Sequence, residues 1–261
     1  MGTQHVCIRK TKLSRGEFGR RYDDLTRPVL ELVNFGARYS LELNLQDAWL
    51  RPFAVRAELD RTHLADFNHV AYVHTNTLGG SERYAVEHEQ SPLEKREDGF
   101  KLTKWHMNSD LPPFVRKVEK KMVKVDRWNT MEMKVPGFFY LESGFSPAGN
   151  GLREGNREGI IEFRNFQAMT PETDRTTHFF WVYMHNQKRD IELIEHSLHD
   201  SILEGFYEDK AIIETQQKVL DADPTFKLKA IAADAPLSHL RWVIEKRIKE
   251  ENVDLRAGPV R

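Results

Sequence analysis

Ile160-Ile161-Glu162-Phe163-Arg164-Asn165-Phe166-Gln167-Ala168-Met169, then Thr170-Pro171-Glu172-Thr173-Asp174, then Thr176 to Tyr183, reads as a β-hairpin. β-branched and aromatic residues crowd both arms, and the Pro/Asp-bearing link between them supplies the turn. Upstream, residues 99–145 read as further strands. They are punctuated by Asp110-Leu111-Pro112-Pro113, Pro136-Gly137 and Pro147-Ala148-Gly149. Proline cannot donate to a sheet ladder and so marks strand ends. Downstream, residues 190–221 carry a helical pattern that Gly205 is expected to break or bend. A last helix is expected over 235–250, opened by Asp234-Ala235-Pro236, with Glu245 and Lys249 as an i,i+4 pair. Strands in the middle with helices beside them predict an α+β domain, an antiparallel sheet packed on helices.

The 261 residues suffice for one large domain with a substantial core. A net charge of −1 supplies no field to draw the chain to nucleic acid or an anionic membrane, so a small-molecule partner is the expectation. The longest apolar runs, 137–141 and 179–184, are far too short to span a bilayer. Met1 to Val6 has no apolar signal core, which predicts a cytoplasmic protein. One cysteine, Cys7, cannot form an intrachain disulfide, a Cys-rich zinc site or an iron–sulfur cluster. Any metal must then be held by nitrogen and oxygen.

Residues 1–58 carry no motif or repeat; stretches such as 30–33 and 39–43 alternate as short strands would. From 62 the pattern turns helical, with Thr62 as N-cap, apolar residues at 64, 67, 70 and 71, and Gly79-Gly80 as the stop. The charged stretch 81–100 reads as a loop. The helical stretch holds Asp66, His69 and His74. Two nearby imidazoles supply half to two-thirds of a metal shell; the alternative is a buried helix that happens to carry two histidines. Five residues is about 140° around an ideal helix, so a shared ion needs the helix to end or bulge near Tyr72. Asp66, at i,i+3, could bond the ring nitrogen of His69 that faces away from the ion. This is not the His-Glu-x-x-His of zinc peptidases.

Two histidines and one carboxylate on one side of an ion leave positions open for oxygen and substrate. Asp209, in Phe206-Tyr207-Glu208-Asp209-Lys210-Ala211-Ile212-Ile213, is the candidate carboxylate; the other reading of this acidic pair is solvated helix surface. His196-Ser197-Leu198-His199-Asp200 is a rival cluster, read as a polar helix face. Lys117, Lys120, Lys121 and Lys124, with Arg116 and Arg127, form a basic run, read as solvated or as a docking surface for an acidic redox partner. His88, His106, His178, His185 and His239 have no partner at ligand spacing. Of Trp105, Trp128, Phe138, Phe139, Tyr140 and Trp181, some should line an apolar pocket and most should be core. There is neither a Gly-x-Ser-x-Gly elbow nor a phosphate-binding glycine loop, which removes hydrolase and kinase readings.

Several of these segments, in order, resemble the α subunits of Rieske non-heme iron oxygenases, in the vanillate O-demethylase and dicamba monooxygenase branch. They are Asp66-x-x-His69-x-x-x-x-His74, Leu102-Thr103-Lys104-Trp105, Val125-Asp126-Arg127-Trp128, the hairpin Met169 to Phe179, and Phe206-x-Glu208-Asp209-Lys210-x-x-x-Glu214-x-Gln216. The likeness covers roughly 60–250. It implies a helix-grip (START/Bet v1-like) α+β fold, with residues 1–58 as a lead-in and 59–261 as the catalytic domain. It implies His69, His74 and Asp209 as ligands of mononuclear Fe(II), and Asp66 as the acid bridging to a Rieske cluster in the neighbouring subunit of a homo- or hetero-trimer. It further implies a substituted aromatic substrate, O2, and hydroxylation or O/N-demethylation, with formaldehyde released from a methyl group. Two departures stand out. His63 replaces the asparagine usual three residues before the bridging aspartate, and Cys7, preceded by His5, cannot supply Cys-x-His and Cys-x-x-His. The [2Fe–2S] cluster is therefore expected on a partner, a Rieske ferredoxin fed by an NAD(P)H-dependent reductase. The alternative is a truncated remnant or a non-catalytic helix-grip binding module.

Overall fold

The structure is a computed structural model that describes residues 5–7, 53–55, 69–171, 177–187, 191–223, 225–226 and 231–257. Nine antiparallel strands form one sheet among them: β1 His5–Cys7, β2 Phe53–Val55, β3 Glu89–Gln90, β4 Glu94–Arg96, β5 Gly99–Asp110, β6 Lys124–Lys134, β7 Phe138–Pro147, β8 Ile161–Pro171 and β9 Thr177–His185. Strands β5 to β9 run as a meander, each paired with the next. β3 and β4 extend the sheet beyond β5, and β1 and β2 pair with β9. The expected hairpin is β8–β9. The prolines sit where strands end: β5 stops before Pro112, β6 and β7 turn at Pro136-Gly137, and β7 finishes at Pro147.

Side chains alternate across the sheet, and both faces of its centre are covered. On one face of β6 lie Arg127, Asn129, Met131 and Met133, facing the helices; on the other lie Asp126 and Trp128. The loop after β7 packs Leu152 and Ile160 onto Trp128, so that tryptophan is core of the outer face. Gly144 on β7 is required there: a Cβ would lie 2.0 Å from the Trp128 ring. The buried carboxylate of Asp126 accepts the backbone N–H of Asn108 and of Gly149, both at 2.8 Å. It thereby pins the β5 bulge between His106 and Ser109, where Asn108 has φ 49°, to the start of the next loop.

Five α-helices flank the sheet among the described residues: α1 Val70–Val73, α2 Glu82–Val86, α3 Pro113–Arg116, α4 Ile191–Ala222 and α5 Ala235–Ala257. Three expectations need correction. The stretch 81–100 holds α2, β3 and β4 rather than a loop, because Ser81 caps a short helix by accepting Tyr84 N–H. Helix α4 runs unbroken through Gly205, where even a Cβ would meet Leu78 and the His74 ring only at ordinary van der Waals distance. Among the described residues of α5, Glu250 pairs with Lys246 and Arg247, and the expected Glu245–Lys249 pair does not form. Ile194, Leu198 and Ile202 recur every four residues on α4, and that stripe packs with Phe114, Phe145 and Phe163. Complete burial of one such aromatic contributes about 2–3 kcal/mol. A second cluster joins Phe100, Met133, Phe139 and Phe179 to Leu240 of α5, and Trp181 and Phe206 touch both clusters. No described helix is long and apolar enough to cross a membrane.

Candidate metal centre

Helix α1 lasts one turn, with His69 as its N-cap residue and His74 as its C-cap residue. At φ −102° and ψ 42°, His74 has left the helix, which removes the angular mismatch of a five-residue spacing. The two rings meet edge-to-face with centroids 5.0 Å apart. Gly79-Gly80 does not end this helix; it folds the chain back against it. Gly79 takes φ +78°, and Gly80 donates to the His74 carbonyl at 2.9 Å. A Cβ on Gly80 would lie 1.9 Å from the Val70 oxygen.

Asp209 arrives from α4, on the stripe that carries Phe206 and Ile202 one and two turns earlier. Its Oδ1 lies 3.0 Å from His74 Nε2 and 3.5 Å from His69 Nε2. One atom from each of the three residues falls within 4.8 Å of the others, and among the described residues no further such group occurs. Two ligands about 2.1 Å from one ion and at right angles lie about 3 Å apart, so the spacing suits a single small ion. His74 is 2% exposed and Asp209 16%.

Glu208, the residue beside Asp209, completes the arrangement. His74 Nδ1–H donates to Glu208 Oε2 at 2.8 Å, and Thr77 Oγ1–H donates to the same oxygen at 2.6 Å. Nε2 is thereby turned toward Asp209. Burial acts to lower the His74 pKa, but Asp209 and Glu208 outweigh it and the net shift is upward. The pair of carboxylates thus favours positive charge on or beside the ring, which a cation would supply in place of a proton.

The three residues open into a cleft whose empty space, counted out into the solvent at its mouth, is about 850 Å³. Its walls include Leu78, Phe114, Met131, Phe139, Leu141 and Phe206; its polar groups come from the sheet, at Arg127, Asn129, Ser143, Asn165, Gln167 and Tyr183. Burial raises the Tyr183 pKa, so its phenol stays protonated and serves only as a neutral hydrogen-bonding group.

Of the four residues singled out from the sequence, the structure brings His69, His74 and Asp209 together, and Asp66 and His63 lie outside the described residues. The rival cluster does not assemble: His196 is exposed, while His199 packs near Trp181 and bonds Asp200. Sequence reasoning missed Glu208 and Arg127. The first was grouped with Asp209 as one acidic pair, although neighbours on a helix point about 100° apart. The second was grouped with surface lysines, although it alternates in register with Asn129 and Met131.

Residues 53–250 match the family model described as the vanillate O-demethylase oxygenase C-terminal domain. The chain belongs to this family. It is 32% identical over 195 residues to a putative toluene-4-sulfonate monooxygenase system iron–sulfur subunit from Comamonas testosteroni, covering 73% of this chain and 55% of that one. It is 28% identical over 200 residues to a vanillate O-demethylase oxygenase subunit from a Pseudomonas species, covering 72% and 58%. The chain thus spans little more than half the length of these relatives. A crystal structure of dicamba monooxygenase bound to 3,6-dichlorosalicylic acid shares the fold at a TM-score of 0.67 and 18% identity, over 78% of this chain and 59% of that one. The relatives are named as subunits of a toluene-4-sulfonate monooxygenase system and of a vanillate O-demethylase oxygenase, and a dicamba monooxygenase structure that shares the fold holds non-heme iron.

Proposed function

We propose that this chain is the catalytic component of an aromatic-compound oxygenase, with His69, His74 and Asp209 holding mononuclear Fe(II). The observation that carries the reading is the convergence of two imidazoles and one carboxylate, from segments 135 residues apart, at the wall of an apolar cavity. Iron bound there supplies O2 activation for hydroxylating, or O- or N-demethylating, a substituted aromatic substrate.

The chain's own residues do the rest. His69, His74 and Asp209 would hold the ion, and the cavity beside them would receive oxygen and substrate. Glu208 fixes the ring of His74, and Thr77 fixes Glu208. Phe114, Phe139, Leu141 and Phe206 receive an aromatic ring and exclude water from the reacting carbon. Electrons come from a Rieske [2Fe–2S] cluster held outside these 261 residues, reduced by an NAD(P)H-dependent reductase. Asp66, three residues before His69, is the bridging acid in an assembly of subunits, homo- or hetero-trimeric.

The test is O2 uptake and formaldehyde release with NADH, a reductase and methoxylated aromatic acids, with and without an added Rieske protein. Turnover that depends on the Rieske protein is expected. Full turnover in its absence contradicts the reading.

A further inference from the structure

Arg127 is the group in this molecule whose chemistry the iron site does not use. It is 7% exposed and lines the cavity. Its guanidinium donates through Nη1 to the Leu78 carbonyl at 3.3 Å, and its Nε–H has no partner. It lies 5.0 Å from the Tyr84 ring centroid and 5.2 Å from that of Phe145. Among the described residues no carboxylate pairs with it; its neighbour Asp126 points through the other face of the sheet, where it is taken up by Asn108 and Gly149.

A guanidinium stays charged at any pH a protein meets, and burial of that charge is costly unless an anion answers it. One carbonyl and two ring faces hold the group in place and neutralise none of its charge. The ring centroids lie 5.0 and 5.2 Å from the guanidinium carbon, at cation–π distance, and the planar fork they flank suits two-point binding of an oxyanion. Asn129, two residues along the same strand face, has its amide turned to the Tyr84 hydroxyl at 3.2 Å, so the ring that carries Arg127 is itself fixed.

Resting on the oxygenase reading of the same cavity, we infer that Arg127 is the specificity-determining residue of this chain, selecting substrates whose ring bears a carboxylate or sulfonate. The metal ligands enter from α1 and α4, and Arg127 enters from β6. An anion gripped on the sheet side fixes which substituent of the ring can face the ion. Neutral rings of the same shape fit the apolar walls and leave the guanidinium unanswered.

The test is calorimetric titration of the full chain, with and without anaerobically added Fe(II), using 4-methoxybenzoate, 4-methylbenzenesulfonate and the neutral 4-methoxybenzamide. At least one anion should bind about ten- to a hundredfold more tightly than the amide, the span of a charge-assisted hydrogen bond, and the tighter of the two identifies the anion. Arg127→Gln should erase that preference while amide binding and iron content stay as in the wild type; Arg127→Lys should restore part of it. Wild-type protein with no preference for either anion overturns the inference and needs no variant to do so. Weakening of amide and anion alike in Arg127→Gln also overturns it. Anion preference in a chain that takes up no iron would instead sink the oxygenase reading and leave Arg127 in its role.

Discussion

Glu208 and His74 are joined by a hydrogen bond of 2.8 Å from ring Nδ1 to carboxylate, across 134 residues of sequence. This contact decides which nitrogen of His74 faces Asp209, and it links α4 to the turn after α1 before any ion arrives. A carboxylate behind a ligating imidazole also raises the basicity of the nitrogen in front.

Removal of that carboxylate should therefore be felt by the metal more than by the fold. Glu208→Ala is expected to weaken Fe(II) binding about 10- to 100-fold, with Glu208→Gln between it and the wild type. Competition titration against a chelator of known affinity reads the effect. Unchanged iron affinity in Glu208→Ala would mean that His74 needs no orienting partner.

Gly144 tests the outer face of the sheet. A methyl group there meets the Trp128 ring at 2.0 Å and the Ile161 carbonyl at 2.8 Å, and neither can retreat from a strand paired on both sides. Gly144→Ala should cost about 2–3 kcal/mol, at the upper end of overpacking effects, read as a shift in the urea midpoint. A cost below half a kcal/mol would show that Trp128 can move.

His106 gives the chain a pH dependence. Burial, first, and then the positive charges of Arg127 and its neighbours hold its pKa down at about 3, while the ring stacks on Tyr84. In the unfolded chain it titrates near 6.5. Below about 6.5 the unfolded state takes up a proton that the folded state refuses. Stability contributed by this group is then lost at about 1.4 kcal/mol per pH unit down to about pH 3, and is constant above 6.5. His106→Phe keeps the stack without the titration. Between pH 6.5 and 5.5 the wild type should lose about 1 kcal/mol more than this variant in urea denaturation. Parallel losses would contradict the assignment.

What could be read from the chain, and what could not, follows from the range of the interactions. Strand ends were legible because proline acts on its own neighbours: Pro112, Pro136 and Pro147 mark boundaries whatever surrounds them. The three candidate ligands were legible by type, and their family resemblance put Asp209 with the histidines. Gly205 does not break its helix because propensity is a weak local preference that packing on the sheet overrides. Arg127 and Glu208 were illegible for a deeper reason. The sequence places Arg127 among lysines and Glu208 beside an aspartate, and only strand register and helix phase separate each from its neighbours. Asp66 stays an expectation, since it lies outside the described residues.

The central claim is that His69, His74 and Asp209 hold one iron, and anaerobic Fe(II) titration of the full chain with metal analysis after gel filtration tests it most directly. The wild type should retain about one iron per chain, and His74→Ala and Asp209→Ala should retain almost none while unfolding at a similar urea concentration. Iron retained equally by both variants, or by no form of the protein, would contradict it.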